Sequence, residues 1–117
     1  MTIRRIGPGK RMSQAVVHGN TVFLSGQVAG TKSGKSVKEQ TKDILGQIDK
    51  LLAEAGTSKA KLLRANIWLA DIATFAEMNQ AWDAWVAPGS APARATVEAK
   101  LAAPEFTVEI MVEAALD

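Results

Sequence analysis

The run FTVEIMVEAA, Phe106 to Ala115, alternates apolar and other side chains along its whole length. A period of two is the signature of a strand with unlike faces. Phe106, Val108, Ile110, Val112 and Ala114 form one unbroken apolar face, and Thr107, Glu109, Met111, Glu113 and Ala115 form the other. An apolar strand face must be covered by a second layer, so this run demands a sheet with something packed on one side.

Two helical patterns supply the cover. Ser36 with Glu39 makes a capping box, and Ile44, Leu45, Ile48, Leu51, Leu52 and Ala55 follow at helical spacing before Gly56 ends the run. Thr74 with Glu77 makes a second box, and Met78, Trp82 and Trp85 form the stripe of a second helix that stops before Pro88-Gly89. This stripe reads as helix-to-sheet packing, not as a cofactor box.

The remaining strands are shorter. Ala15–His18 and Thr21–Leu24 flank Gly19-Asn20, a hairpin turn pair that leaves His18 at an exposed strand end. KLLRANIWLAD carries a buried-strand pattern, ARATVEA a further strand, and Ile3–Ile6 a short one. The predicted order is ββ-β-α-β-α-β-β in a single α/β (α+β) domain over residues 1–117, with a mixed sheet and two helices on one face.

The uncovered face is the informative one. Parity groups Arg94, Thr96 and Glu98 apart from Ala95, Val97 and Ala99, and groups Thr21, Phe23 and Ser25 apart from Val22 and Leu24. On this reading Arg94 and Glu109 share the face away from the helices with Phe23 and Met111. A face half apolar and half charged suits a subunit interface, so an oligomer packed sheet to sheet is expected. From the residues alone Arg94 and Glu109 read as a structural interfacial ion pair.

Several function classes are excluded or disfavoured. The chain has no cysteine and one histidine, which removes thiol catalysis and Cys- or His-cluster metal sites and disfavours a Ser-His-Asp triad. The net charge of +2 and the dispersed Lys and Arg disfavour nucleic acid. GTKSGKS, Gly30 to Ser36, falls one residue short of a phosphate-binding loop, leaving only weak anion binding at the helix start. No apolar run is long enough to span a membrane and no signal-peptide pattern opens the chain, so a cytoplasmic location is expected.

Three segments, GNTVFLSGQV, EMNQAWDAWV and PARATVEAKL…VEIMVEAA, together resemble the RidA/YjgF family of reactive-imine deaminases over nearly the whole chain. The resemblance implies a chorismate-mutase-like fold, a homotrimer, and ligand clefts between neighbouring subunits. It implies that Arg94 holds a substrate carboxylate and that Glu109 positions the attacking water. It further implies that Ser25, Gly26, Asn79 and the backbone near Thr96 line the site. Thr96 stands where relatives often carry cysteine, and Met12 falls near the position of a tyrosine that this chain lacks.

The activity so implied is hydrolysis of 2-imino or enamine acids to 2-oxo acids and ammonia, with no cofactor and no metal. A non-catalytic trimer binding 2-oxo acids in the same clefts is the main alternative. The ribonuclease or translation-inhibitor activity ascribed to some relatives is a third, and the near-neutral charge and sparse aromatics speak against it. Glu98 and Glu113 are expected as interface or rim charges, and Ser25 as a hydrogen-bonding serine rather than a nucleophile.

Overall fold

The computed structural model describes residues 2–31 and 33–117. Six strands, β1 (Ile3–Ile6), β2 (Ala15–His18), β3 (Thr21–Leu24), β4 (Leu62–Leu69), β5 (Ala93–Glu98) and β6 (Val108–Ala115), form one sheet in the order β1-β2-β3-β6-β4-β5. Neighbours are antiparallel except β4 and β5, which run parallel through the crossover helix α2 (Phe75–Trp85). The other helix, α1 (Val37–Ala55), joins β3 to β4. The strand that ends the chain therefore lies in the middle of the sheet. That placement explains its alternation: β6 is flanked on both edges and needs one face entirely apolar.

Val108, Ile110, Val112 and Ala114 are buried against Ile44, Leu45, Ile48 and Leu52 of α1, with Val22, Leu24, Ile67 and Leu69 completing the core. Each of the larger of these side chains contributes about 1.5–3 kcal/mol on burial. The β2–β3 turn forms at Gly19-Asn20 as expected. Gly19 takes φ +61° while Asn20 keeps a negative φ, the sign pattern of a type II′ turn.

The first helix keeps the serine half of its expected capping box, with the Glu39 side chain bonded to the serine hydroxyl rather than to a backbone N–H. The Glu39 N–H donates to Ser36 Oγ at 3.1 Å, and the serine hydroxyl donates on to Glu39 Oε1 at 3.2 Å. At the far end Gly56, at φ +93°, donates to Ala53 O, and Thr57 N–H reaches Leu52 O.

The second helix departs from its expected capping box. Thr74 makes no side-chain cap; its hydroxyl donates to Asp71 O, and Asp71 Oδ1 accepts the Ala73 N–H in a short 3₁₀ turn that precedes the helix. Glu77 reaches away instead, accepting the Lys38 N–H at 3.0 Å in the first turn of α1. Its charge serves the positive end of the neighbouring helix rather than its own.

Gln40, wholly buried on α1, sets the approach to β6. Its Nε2 donates to Lys35 O and Glu105 O, and its Oε1 accepts the Thr107 N–H at 3.0 Å. With both ends of the amide engaged, the loop before β6 is clamped to the start of α1, which fixes the register leading to Glu109.

Candidate functional site

Arg94 leaves β5 on the helix side of the sheet. Its parallel partner is Ala65, which is itself opposite Val112, and both of those are buried beneath the helices. Arg94 Nη1 donates to Asn79 Oδ1 at 2.8 Å, and the guanidinium carbon lies 5.2 Å from the Trp82 ring centroid and 5.7 Å from that of Phe75. All three partners stand on α2. The helix stripe that packs against the sheet thus also forms a seat for a cation. Among the described residues, the partners of Arg94 are one amide oxygen and two ring faces, none of them a carboxylate.

Glu109 occupies the opposite face. It alternates with buried Val108 and Ile110 and lies across from Trp68 on β4. The expectation that Arg94 and Glu109 share a face is therefore wrong for a single chain, and they do not form the ion pair that expectation allowed. Parity along β5 is right, but β5 is an edge strand. Its small apolar members Ala95 and Val97 point away from the helices, and Val97 is 52% exposed. Arg94 and Thr96 take the inner side, where α2 shelters them.

The Glu109 carboxylate lies directly over Gly26. Any side chain at Gly26 would collide with Glu109 Oε2. Burial raises the Glu109 carboxyl above its ordinary value, because desolvation penalises the charged form. Beyond Gly26 the chain bridges to β6 through Gln27 N–H to Ile110 O at 2.8 Å and Ile110 N–H to Gln27 O at 3.1 Å. Ser25 donates its N–H to Gln14 O at 2.9 Å. Met12, 49% exposed, belongs to the loop just before Gln14 and accepts the Gly9 N–H on its carbonyl.

The expected site residues therefore fall into two groups. Arg94, Asn79 and Thr96 lie between α2 and β5, and Ser25, Gly26, Glu109 and the Met12 loop lie around the end of β3 and the start of β6. Within the first group the Thr96 hydroxyl is buried without a hydrogen-bond partner, as is that of Thr107 at the entry to β6. Buried hydroxyls without partners are uncommon and call for a physical reason. A shallow depression of about 250 Å³ lies between Arg64, Asn66, Ala93 and Ala95, whose side chains take the outer face of the sheet, opposite to the Arg94 guanidinium. The larger depression, about 530 Å³, lies along residues 98–104 with Ala70 and Phe106, and Glu98 alone brings a carboxylate to it.

The other singled-out residues have structural places. Glu98 Oε2 accepts the Ile72 N–H at 3.1 Å, Glu113 lies between Phe23 and Arg64 on the outer face, and His18 is exposed. In the stretch Gly30 to Ser36, Lys32 lies outside the described residues. The Gly30 N–H is taken by Asp43 Oδ2 and the Gly34 N–H by Glu105 O, so those donors are committed within the chain and do not face an anion.

Sequence reasoning missed two contributors. Trp82 read only as packing, although an Arg on the adjoining strand and a Trp stripe together were a signal of a cation seat. Gln27 was passed over inside GNTVFLSGQV, because nothing in a polar residue's identity announces that it is buried.

Among the described residues no helix is long and apolar enough to cross a membrane. The sequence profile of the family described as endoribonuclease L-PSP matches residues 2–116. A RutC family protein of Haemophilus influenzae is 50% identical over 112 residues, covering 96% of this chain and 97% of the relative. The RutC family protein YoaB of Escherichia coli is 45% identical over 116 residues, covering 99% of this chain and all of the relative. Among solved structures, NMB1025, a YjgF family member from Neisseria meningitidis, superposes with a TM-score of 0.96 at 50% identity, covering 100% of this chain and 97% of that one.

Proposed function

The chain belongs to the endoribonuclease L-PSP (RutC/YjgF) family, and from that premise we propose that it is a deaminase of reactive 2-imino and enamine acids, working as a homotrimer in clefts between subunits. The observation that carries the reading is the Arg94 seat. A guanidinium held by an amide and two ring faces, with no carboxylate of its own chain on it, is a ready receptor for an external carboxylate.

The separation of the two groups supports assembly. A carboxylate clamp and a water-positioning carboxylate on opposite faces of one sheet cannot act on one small molecule within one chain. A second copy brings the Glu109 corner of its sheet to the Arg94 seat of the first. The orphaned Thr96 hydroxyl beside Arg94 then has a ligand or a neighbour to bond.

In the cleft, Arg94 takes the substrate carboxylate with two charge-assisted hydrogen bonds, which orients the adjacent C=N carbon. Glu109, desolvated against Gly26, accepts a proton from water as the water oxygen bonds to that carbon. The electron pair of the C=N bond moves to nitrogen, which takes up a proton and gives a carbinolamine. Proton transfer from the hydroxyl and cleavage of the C–N bond release ammonia and leave the 2-oxo acid. Imines already hydrolyse in water, so orientation and modest base assistance suffice.

The test generates 2-iminopropanoate in situ from an amino acid and an amino-acid oxidase, and follows its decay. Acceleration by the wild-type protein, lost in Arg94→Ala, is the expected result. Carboxylate binding without acceleration would leave a 2-oxo acid binder, and cleavage of RNA indifferent to Arg94→Ala would restore the nuclease reading.

A further inference from the structure

We infer that Gln27 is a positioning residue that commits the Ser25 hydroxyl to donate its proton to an oxygen of the bound 2-imino or 2-oxo acid. The inference rests on the reading of the Ser25–Gly26–Glu109 corner as ligand-facing.

Gln27 is 6% exposed and lies between the two strands that build this corner. Its main chain is bonded in both directions to Ile110, the neighbour of Glu109. Its side chain turns back, with Nε2 at 3.1 Å from Ser25 Oγ, 3.2 Å from Ser25 O and 3.3 Å from Gln14 Oε1. The chemistry of these partners decides the orientation of the amide. A main-chain carbonyl only accepts, so the group facing Ser25 O is the NH₂, and the same NH₂ faces the hydroxyl.

A hydroxyl carries one proton and an amide nitrogen cannot accept it. Ser25 Oγ therefore receives from Gln27 and holds its own proton for some other acceptor. Ser25 is half-buried, one residue before the glycine on which Glu109 rests. The acceptor that fits is an oxygen of the ligand. The same amide also holds Gln14, whose carbonyl takes the Ser25 N–H, so the loop carrying Met12 is tied to the same point.

Removing the donor releases the serine. In Gln27→Met the chain length is kept, but Ser25 Oγ loses the donor that occupies its lone pair, so the hydroxyl is free to turn that lone pair to where the ligand needs a donor. The expected rise in KM for 2-iminopropanoate and in Kd for 2-oxopropanoate is about tenfold or more, the worth of one hydrogen bond to a charged carboxylate oxygen.

The decisive experiment is a double-mutant cycle of Gln27→Met and Ser25→Ala on the full chain, read by imine turnover and, independently, by calorimetric binding of 2-oxopropanoate. If Gln27 acts through Ser25, the double variant matches Ser25→Ala alone in both readouts, with kcat little changed. Losses that add, or a Ser25→Ala variant that binds and turns over like wild type, overturn the inference. Circular dichroism checks folding; should Gln27→Met fail to fold, Gln27→Asn, which draws the amide back by one methylene, goes through the same cycle. Turnover with an additive cycle sinks the positioning role alone. A coupled binding cycle without wild-type turnover sinks the deaminase reading alone.

Discussion

The Arg94 seat and the Glu109 corner are built from opposite materials. Around Arg94 the protein supplies ring faces and one amide, all from α2, and leaves a cation without a carboxylate. Around Glu109 it supplies a bare glycine and a partly desolvated environment, and among the described residues leaves a carboxylate without a cation. Each region is incomplete in the way that the other would remedy, yet the sheet holds them on different faces. The lesson is that a chain this short can place complementary groups where they do not neutralise one another, which on the proposed function reserves their meeting for assembly.

The sharpest way to break this contrast is to remove the cation. Arg94→Ala should weaken 2-oxopropanoate binding about a hundredfold or more, since two charge-assisted bonds are lost. Arg94→Lys should recover little of it, because an ammonium lacks the planar fork. Titration calorimetry measures both, and near-wild-type binding by the lysine variant would mean that charge alone is being read.

Gly26→Ala attacks the other region. Displacing the Glu109 carboxylate by a methyl group should cut kcat about a hundredfold, while 2-oxopropanoate binding stays within a few-fold. Equal losses in both would show that the two regions are not separable in function.

The pH profile sharpens the comparison further. In the proposed mechanism Glu109 acts as a base in its ionised form, so the acid limb of kcat/KM should lie above the ordinary glutamate value, about 4.3, and vanish in Glu109→Gln. The linkage sign for stability is the reverse of a salt-bridged acid. The fold favours the protonated carboxyl, so the contribution of this group is full below the ordinary value and is lost as pH rises through the raised one. Thermal melts of wild type and Glu109→Gln against pH should differ by that slope.

The smallest effect belongs to Thr96. Since its hydroxyl has no partner among the described residues, Thr96→Val should leave stability unchanged or raise it by up to about 1 kcal/mol, while ligand binding falls a few-fold. A clear loss of stability would show that the hydroxyl is satisfied within the fold after all.

Much of this architecture was legible in the sequence, and the failures have a common cause. The Ser36 cap, the Gly56 stop, the Gly19-Asn20 turn and the alternation of β6 are local patterns, and each formed where its residues put it. Parity assigns side chains within a strand, but which alternation faces the helices depends on register with a neighbour. In β6 the large apolar residues settle it; in β5 the apolar members are Ala95 and Val97, too small to decide against an arginine that α2 can shelter. Glu77 failed as a box for the same reason, because a partner distant in sequence, the Lys38 N–H, competed and won. The candidate residues could be named one by one, but their division between two faces could not be read from parity alone.

The central claim is that one working site takes Arg94 from one copy and Glu109 from another, and subunit mixing tests it most directly. Arg94→Ala and Glu109→Gln, each inactive alone, are unfolded together and refolded as a mixture. Random assembly of a cyclic oligomer should leave about a quarter of the clefts with both residues intact, and imine turnover should return to about that fraction of wild type. If the mixture stays as inactive as either variant, although the copies have exchanged, both residues act from the same chain and the account is wrong.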